Sequence, residues 1–262
     1  MRCWTRWSPR WDRNVRIGVL TAVHGRPFVT KLFYTAVDRL REQWAPHEVV
    51  CYVAGDDPVH RQIAKRFRAV WCEVPNNPLG AKFNVGALAA LADGVDYLLM
   101  MGSDDLLSPA LAVRYRQRLE QGVRYMGMTG LRFVDPMFSR AAQMIMFRSK
   151  HRRYEPVGPG RVLSHDLLTE LRGIPFFPLV RKGLDWNLHQ QIEARTEIGS
   201  CVDLMASGDH QFVVDVKTHQ NMWDFDHIAS YGTAVEVPYR LTVRTFPQAE
   251  QDMLYLIGQG VV

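Results

Sequence analysis

Cysteine is scarce. The 262 residues hold four, Cys3, Cys51, Cys72 and Cys201, widely scattered and with no CxxC pair. That spacing excludes a disulfide framework and a closed zinc knuckle, and it fits a reducing compartment. No apolar run comes near the roughly 18 residues of a membrane span. The first residues also lack the apolar stretch of a secretory signal, so a cytoplasmic location is expected, with peripheral membrane contact left open. Internal repeats and low-complexity tracts are absent. So is the glycine-rich phosphate loop of P-loop and dinucleotide-binding proteins, because neither "GVLTAVHG" nor "GPGR" carries its spacing.

What remains is an ordinary folded composition. A hydrophobic share of 47% is enough for one large core, so disorder over most of the chain is not expected. The net charge of +5 is unevenly spread. Residues 1–16 hold five arginines against Asp12, interleaved with Trp4, Trp7 and Trp11. Residues 140–182 hold nine Lys or Arg against Glu155, Asp166 and Glu170. Either stretch could meet phosphates, nucleic acid included, and either could be a solvated basic face.

Periodicity gives the organisation. "VRIGVLTAV" (15–23) reads as a strand entering the turn His24–Pro27, and Phe33, Val37, Leu40 and Trp44 make one helix face after it. "HEVVCYVAGDD" (47–57) reads as a second strand closing in acids, followed by a short helix containing Ile63, Ala64 and Phe67. "RAVWCEVP" (68–75) is a third strand, and the alanine- and leucine-rich stretch ending at Gly94 is a helix. "VDYLLMM" is a fourth strand. Alternation of this kind predicts an α/β fold with a mostly parallel central sheet and helices on both faces. Beyond residue 122 the pattern loosens. "VRYMGMTGLRFVD" and "AQMIMFRSKHRR" have mixed strand character, 160–173 is expected to be a short helix, and a further helix should begin near Asp185. "HQFVVDVKT" (210–218) is strand-like, and a tail of loops should end in an amphipathic stretch near 253–257. The expected division is a basic, tryptophan-rich arm over 1–14 and one domain over 15–262. Within it, 15–122 would bind a nucleotide and 123–262 would supply acceptor and lid.

The segment "YLLMMGSDDLLSP" (97–109) carries the sharpest chemistry. A greasy run stops for Asp104 and Asp105, although like charges side by side repel and a buried unpaired carboxylate is costly. In parallel sheets the ligand crevice lies beyond the carboxyl ends of the strands, where this pair and the acids of "AGDD" fall. Mg²⁺ or Mn²⁺ takes oxygen ligands and bridges a carboxylate to a diphosphate, a task for Asp104 and Asp105 beside the Gly102–Ser103 turn. The alternative is that they cap the helix starting near Pro109. Asp56 or Asp57 could accept from a base N–H or a ribose hydroxyl, and Lys82 could face phosphates; a helix cap and a surface lysine are their alternatives. Asn84, an amide inside an apolar rhythm, needs hydrogen bonds if buried. Asp185 at a helix start could serve as general base or merely as N-cap. His227, beside two acids in "NMWDFDH", is a candidate late metal ligand.

Together these pieces resemble the family 2 glycosyltransferases of the GT-A fold. "LTAVHGRP" looks like that family's first strand and turn, placing Thr21 and Arg26 at the donor, with Gly25 where asparagine is common. "VAGDDP" keeps Asp56 and Asp57 of the nucleoside signature without its glycine and serine. "NPLGAKFNVGALAAL" is the strongest match and implies Lys82 near the diphosphate and Asn84 supporting the pocket. "LLMMGSDDLLSP" resembles the DxD segment, with Gly102 in the place of the first acid, so Ser103 and Asp104 would meet the sugar nucleotide and Asp104 and Asp105 the metal. "GLDWNL" keeps Asp185 as base, with Leu184 replacing a glutamate. The resemblance implies inverting transfer from a nucleoside-diphosphate sugar, often UDP-linked, with Mn²⁺ or Mg²⁺. The acceptor stays open among a saccharide, a glycolipid and modified DNA or RNA. Two rival functions are a non-enzymatic nucleic-acid binder and a sugar-1-phosphate nucleotidyltransferase.

Overall fold

A computed structural model describes residues 14–145, 155–196, 202–221, 224–230 and 234–260. The first half follows the expected alternation: β1 (Arg16–Ala22), α1 (Pro27–Gln43), β2 (Glu48–Gly55), α2 (Pro58–Arg66), β3 (Val70–Glu73), α3 (Leu79–Ala92) and β4 (Tyr97–Met100). Then come β5 (Asp105–Leu107), α4 (Pro109–Glu120), β6 (Tyr125–Met128), β7 (Gly130–Asp135), β8 (Arg140–Ile145), β9 (Arg161–Ser164) and α5 (His165–Glu170). The chain continues through α6 (Leu184–Arg195), β10 (Asp203–Met205), β11 (Val213–Val216), α7 (Phe225–Ala229), β12 (Ala234–Glu236), α8 (Tyr239–Val243) and α9 (Gln248–Gly258).

Seven strands form the main sheet in the order β10-β6-β9-β4-β1-β2-β3, all parallel except β9. Its central strands are buried on both faces, which is why they read as unbroken apolar runs. On one face Ile17, Val19, Val53 and Leu99 pack with Phe33, Val37 and Leu111 from α1 and α4. On the other, Leu20, Tyr52, Leu98 and Leu163 pack with Ala87 and Ala90 of α3 and Leu167 of α5. Gly86 makes the second contact possible, because a Cβ there would lie 2.2 Å from Leu20 Cδ1.

A second, mainly antiparallel sheet, β12-β8-β7-β11-β5, was not foreseen. Its strands are three to six residues long and, the β7–β8 hairpin apart, pair across long stretches of sequence, so local periodicity carries little trace of the sheet. The tail expected to be loops likewise contains α7, β12 and α8. A third correction concerns 160–173. Arg161–Ser164 is a buried strand, held antiparallel between β4 and β6, and only His165–Glu170 is helical. Ser164 makes the switch, accepting from Leu167 N as the N-cap. The arm over 1–13 and the basic residues 146–154 lie outside the described residues.

The two sheets meet at β5, which follows β4 after a four-residue turn, Met101–Asp104. β5 is held from behind by a buried ion pair. Arg39 on α1 donates from Nε to Glu250 Oε1 of α9 at 2.6 Å and from Nη2 to the Leu107 carbonyl at 2.6 Å. Removing one partner would leave the other buried and uncompensated. Glu250→Ala should therefore lower the unfolding free energy by about 3 kcal/mol in denaturant titrations. A loss below about 1 kcal/mol would mean that the latch contributes only what a surface pair does.

Candidate active site

The acids that interrupt the greasy run sit at the junction of the two sheets. Asp105 opens β5 and lies directly across from Asp215 of β11, so their side chains share one face. Carboxylate oxygens of Asp104, Asp105 and Asp215 all lie within 4.8 Å of one another, the one such group among the described residues. The alternative, that the pair caps the following helix, does not hold: Ser108 caps α4, accepting from Leu111 N. Asp105 instead accepts from the Gly102 backbone N–H across its own turn. A Cβ at position 102 would lie 2.7 Å from Asp105 Oδ2 and 2.8 Å from Asp104 Oδ1, so an acid cannot stand there without moving both carboxylates.

Two cations enter the cluster. Arg26 Nη1 donates to Asp104 Oδ2 at 2.8 Å, and Lys217 Nζ to Asp215 Oδ2 at 2.6 Å. Asn221 Nδ2 also donates to Asp104 Oδ2, at 2.7 Å. Burial alone would raise the Asp104 carboxyl, but Arg26 and Lys217 hold it below the ordinary range. Asp105 goes the other way, pushed well up by burial and by the charges of Asp215 and Asp104. Burial likewise raises Asp215 to about 6, against the pull of Lys217. Three acids thus divide between one ionised anchor and two reluctant carboxylates. Asp215 Oδ1 is buried and has no hydrogen-bond partner among the described residues. An oxygen-only donor set with one buried oxygen unserved fits a hard divalent cation.

Arg26 reaches Asp104 because Gly25 and Arg26 both adopt left-handed backbone, with φ of 57° and 48°. The buried His60 ring fixes that turn, its Nε2 lying 2.5 Å from the Gly25 carbonyl. A carbonyl only accepts, so Nε2 carries the proton. Thr21, on the same strand end, is fully buried with its hydroxyl unpartnered among the described residues.

A second group gathers at the end of β2. Asp56 Oδ2 accepts from Asn76 N at 2.9 Å, and Lys82 Nζ donates to Asn76 Oδ1 at 3.0 Å and to the Val23 carbonyl at 2.5 Å. Lys82 is no surface lysine; it is 1% exposed, and burial brings its ammonium down to about 8 despite Asp56. Asp57 takes the capping alternative, accepting from Val59 N at the start of α2. Asn84 is buried and doubly bonded, as its setting required, but to the backbone of Phe176 rather than toward the strand ends. Ser103 is buried in the acid turn. His227 lies exposed on α7, outside the acid group, where its backbone N–H is capped by Asp224.

Asp185 arrives at the same sheet edge by another route. It lies in the first turn of α6, whose N-cap position is Gly183 with left-handed backbone, so Asp185 is not the cap. Arg161, directly across from Met100, donates from Nη1 to the Asp185 carbonyl at 3.1 Å, and its Nη2 lies 4.0 Å from Asp185 Oδ2. The carboxylate rests against Gly158, where a Cβ would meet Oδ1 at 3.2 Å.

The sequence matches no family model and no curated protein. Solved structures do match. Glucosyl-3-phosphoglycerate synthase from Mycobacterium tuberculosis, in complex with phosphoglyceric acid, aligns over 88% of this chain and 78% of its own, with 15% identity and a TM-score of 0.52. The same synthase with Mn²⁺, UDP and glucosyl-3-phosphoglycerate aligns over 92% and 84%, with 13% identity and a TM-score of 0.51. The chain is also similar to residues 1–349 of S. aureus TarS, over 94% and 71%, with 13% identity and a TM-score of 0.48. This chain has the GT-A fold.

Within the GT-A fold, Arg26, Asp104 and Asp105 are brought together as expected. Asp215, Lys217 and Asn221 were missed. Their signal was the alternation in "VVDVK": Asp215 and Lys217 are charged residues in register with the buried Val213. The folded state holds the Asp215 proton more tightly than the unfolded chain does, so that stabilisation is complete below about pH 4 and is lost as pH rises through about 6. Between pH 4 and 7, in chelator, wild type should lose about 2 kcal/mol more unfolding free energy than Asp215→Asn. Parallel pH profiles for the two proteins would show that Asp215 does not hold its proton more tightly in the folded state.

Proposed function

We propose that the protein is a metal-dependent glycosyltransferase, moving a sugar from a nucleoside-diphosphate sugar to an acceptor hydroxyl with inversion at the anomeric carbon. The observation that carries this is the Asp104–Asp105–Asp215 group at the carboxyl edge of the sheet, with Asp185 at the same edge. The GT-A fold makes a sugar nucleotide the natural ligand there. UDP is the favoured nucleotide, since the synthase complex of the same fold holds UDP and Mn²⁺. Residues 15–122 supply the donor side; 123–262 supply the acceptor side and, through Asp215, the third carboxylate.

A divalent cation would be held by Asp104, Asp105 and Asp215, and when bound it supplies positive charge against the departing diphosphate. The chain's own residues do the rest. With all three carboxylates ionised, Arg26 and Lys217 leave one net negative charge, so a dication would be taken up as the protons on Asp105 and Asp215 leave. Lys82, held between the Val23 carbonyl and Asn76, offers a further positive charge near the phosphates. Asp56 serves the nucleoside side, at the end of β2. On the acceptor side Asp185 takes the hydroxyl proton while the acceptor oxygen bonds to the anomeric carbon and the bond to the diphosphate oxygen breaks, releasing nucleoside diphosphate. Arg161 fixes the backbone of the base, so its carboxylate is oriented before the acceptor arrives.

Calorimetric titration with UDP should show binding that weakens sharply in chelator. Hydrolysis or transfer assays over a panel of nucleotide sugars with Mn²⁺ identify the donor. In the responsive assay Asp104→Ala and Asp215→Ala should each lower turnover about 100-fold or more. Asp185→Asn should keep UDP binding and lower transfer about 1000-fold. Full activity of both aspartate variants in excess chelator would eliminate the metal, and normal transfer by Asp185→Asn would eliminate the base.

A further inference from the structure

The segment that delivers Asp185 exposes more apolar surface than it has reason to. Phe177, Leu179 and Trp186 are 54%, 83% and 40% exposed, and Arg181 and Lys182 between them are exposed too. Isolated exposed apolar residues are commonplace, but three within ten residues, interrupted by two cations, form a patch. The patch does not arise from a loose loop. Phe176 is bonded through both backbone groups to the buried Asn84, and Phe177 N donates to Asn187 Oδ1 at 2.8 Å. Val180 donates to the Phe177 carbonyl and accepts from Gly80 N at 2.9 Å. Gly80 admits the loop at a distance no side chain would allow, its Cβ position lying 2.5 Å from Val180 Cγ1. With the backbone pinned on both sides, Phe177 and Leu179 are held outward.

We propose that this loop is a contact surface for an anionic lipid membrane. Aromatic and aliphatic tips alternating with Arg and Lys suit the boundary between headgroups and acyl chains, where the tips enter and the cations meet phosphate. Charge selects this occupant over others. A second copy docked about a twofold axis would set Arg181 and Lys182 against their own equivalents. The chain's own arm over residues 1–14, with four arginines against Asp12, carries the same sign as the patch. Nucleic acid would satisfy the cations but gains nothing from Leu179, the most exposed of the three. On the glycosyltransferase reading, the contact brings a lipid-borne acceptor hydroxyl to Asp185, which follows Lys182 by three residues; vesicle binding itself does not depend on that reading.

The test is cosedimentation of the full chain with vesicles of phosphatidylcholine alone, or with about one third phosphatidylglycerol. Each surface cation strengthens binding to an anionic leaflet about fivefold, so the anionic vesicles should be preferred about 25-fold at low salt, less at high salt. The Phe177→Ser/Leu179→Ser double variant should reduce partitioning to both vesicles about 10-fold or more. Arg181→Gln/Lys182→Gln should abolish only the anionic preference. Asp185→Asn should partition like wild type, which separates failure of the surface from failure of the base. The proposal is overturned if wild type ignores both vesicles, or if the serine variant partitions unchanged. It is equally overturned by a concentration-dependent dimer that the serine variant dissolves, or by salt-sensitive capture on DNA oligonucleotides without vesicle binding.

Discussion

Mutual repulsion among Asp104, Asp105 and Asp215 is the constraint around which the site is built. Carboxylate oxygens within 4.8 Å of one another repel by roughly 3 to 4 kcal/mol at the effective dielectric of a protein surface, and three acids make three such pairs. Left alone, that repulsion would rival the stability of the whole domain. Arg26, Lys217 and protons kept on the reluctant carboxylates offset it. The left-handed backbone at Arg26 costs about 1 to 2 kcal/mol, which is small beside the charge it delivers. His60, by fixing the Gly25 carbonyl, is part of that delivery.

The same constraint explains why the tail of the chain belongs to the site. β5 is three residues long and could not hold a position alone. β11 pairs with it on one side, Arg39, itself held by Glu250, donates to its last carbonyl, and Ser108 ties its end to the residues just before β11 through Phe212 N and the His210 carbonyl. Residues more than 100 positions apart therefore set the spacing of two adjacent aspartates.

What could be read from the sequence follows from how local each determinant is. β1 to β4 and their helices were legible because every one carries its own period and its own stop. Asp104 and Asp105 were legible because two charges in a greasy run conflict with packing. Asp215 was not, since its meaning depends on a strand pairing that no local pattern encodes. Arg161 was hidden differently: "GRVLSHDLL" contains a helix, and Ser164 as its cap gave no sign that Arg161–Ser164 forms a strand of the main sheet. Asn84 is a different case. Its need for partners was legible in its apolar setting, but their identity was not, because the Phe176 backbone lies 92 positions away.

That pairing of Asn84 ties the two sides of the site together. Residues two apart on a helix point in nearly opposite directions, and residues four apart share a face. On α3, Gly80 and Asn84 share the face that grips the loop before Asp185, while Lys82 between them reaches the Val23 carbonyl and the Asp56–Asn76 group. One rigid helix thus sets Lys82 and the loop before Asp185 in a single frame. Neither can shift by a fraction of an ångström without α3, and α3 is itself pinned by Gly86 against Leu20 of the central strand. Transfer between two substrates requires their reacting atoms to be held near contact distance. On the proposed transfer, the short stretch from Gly80 to Gly86 is where this chain would set that distance, with Lys82 as its residue near the phosphates.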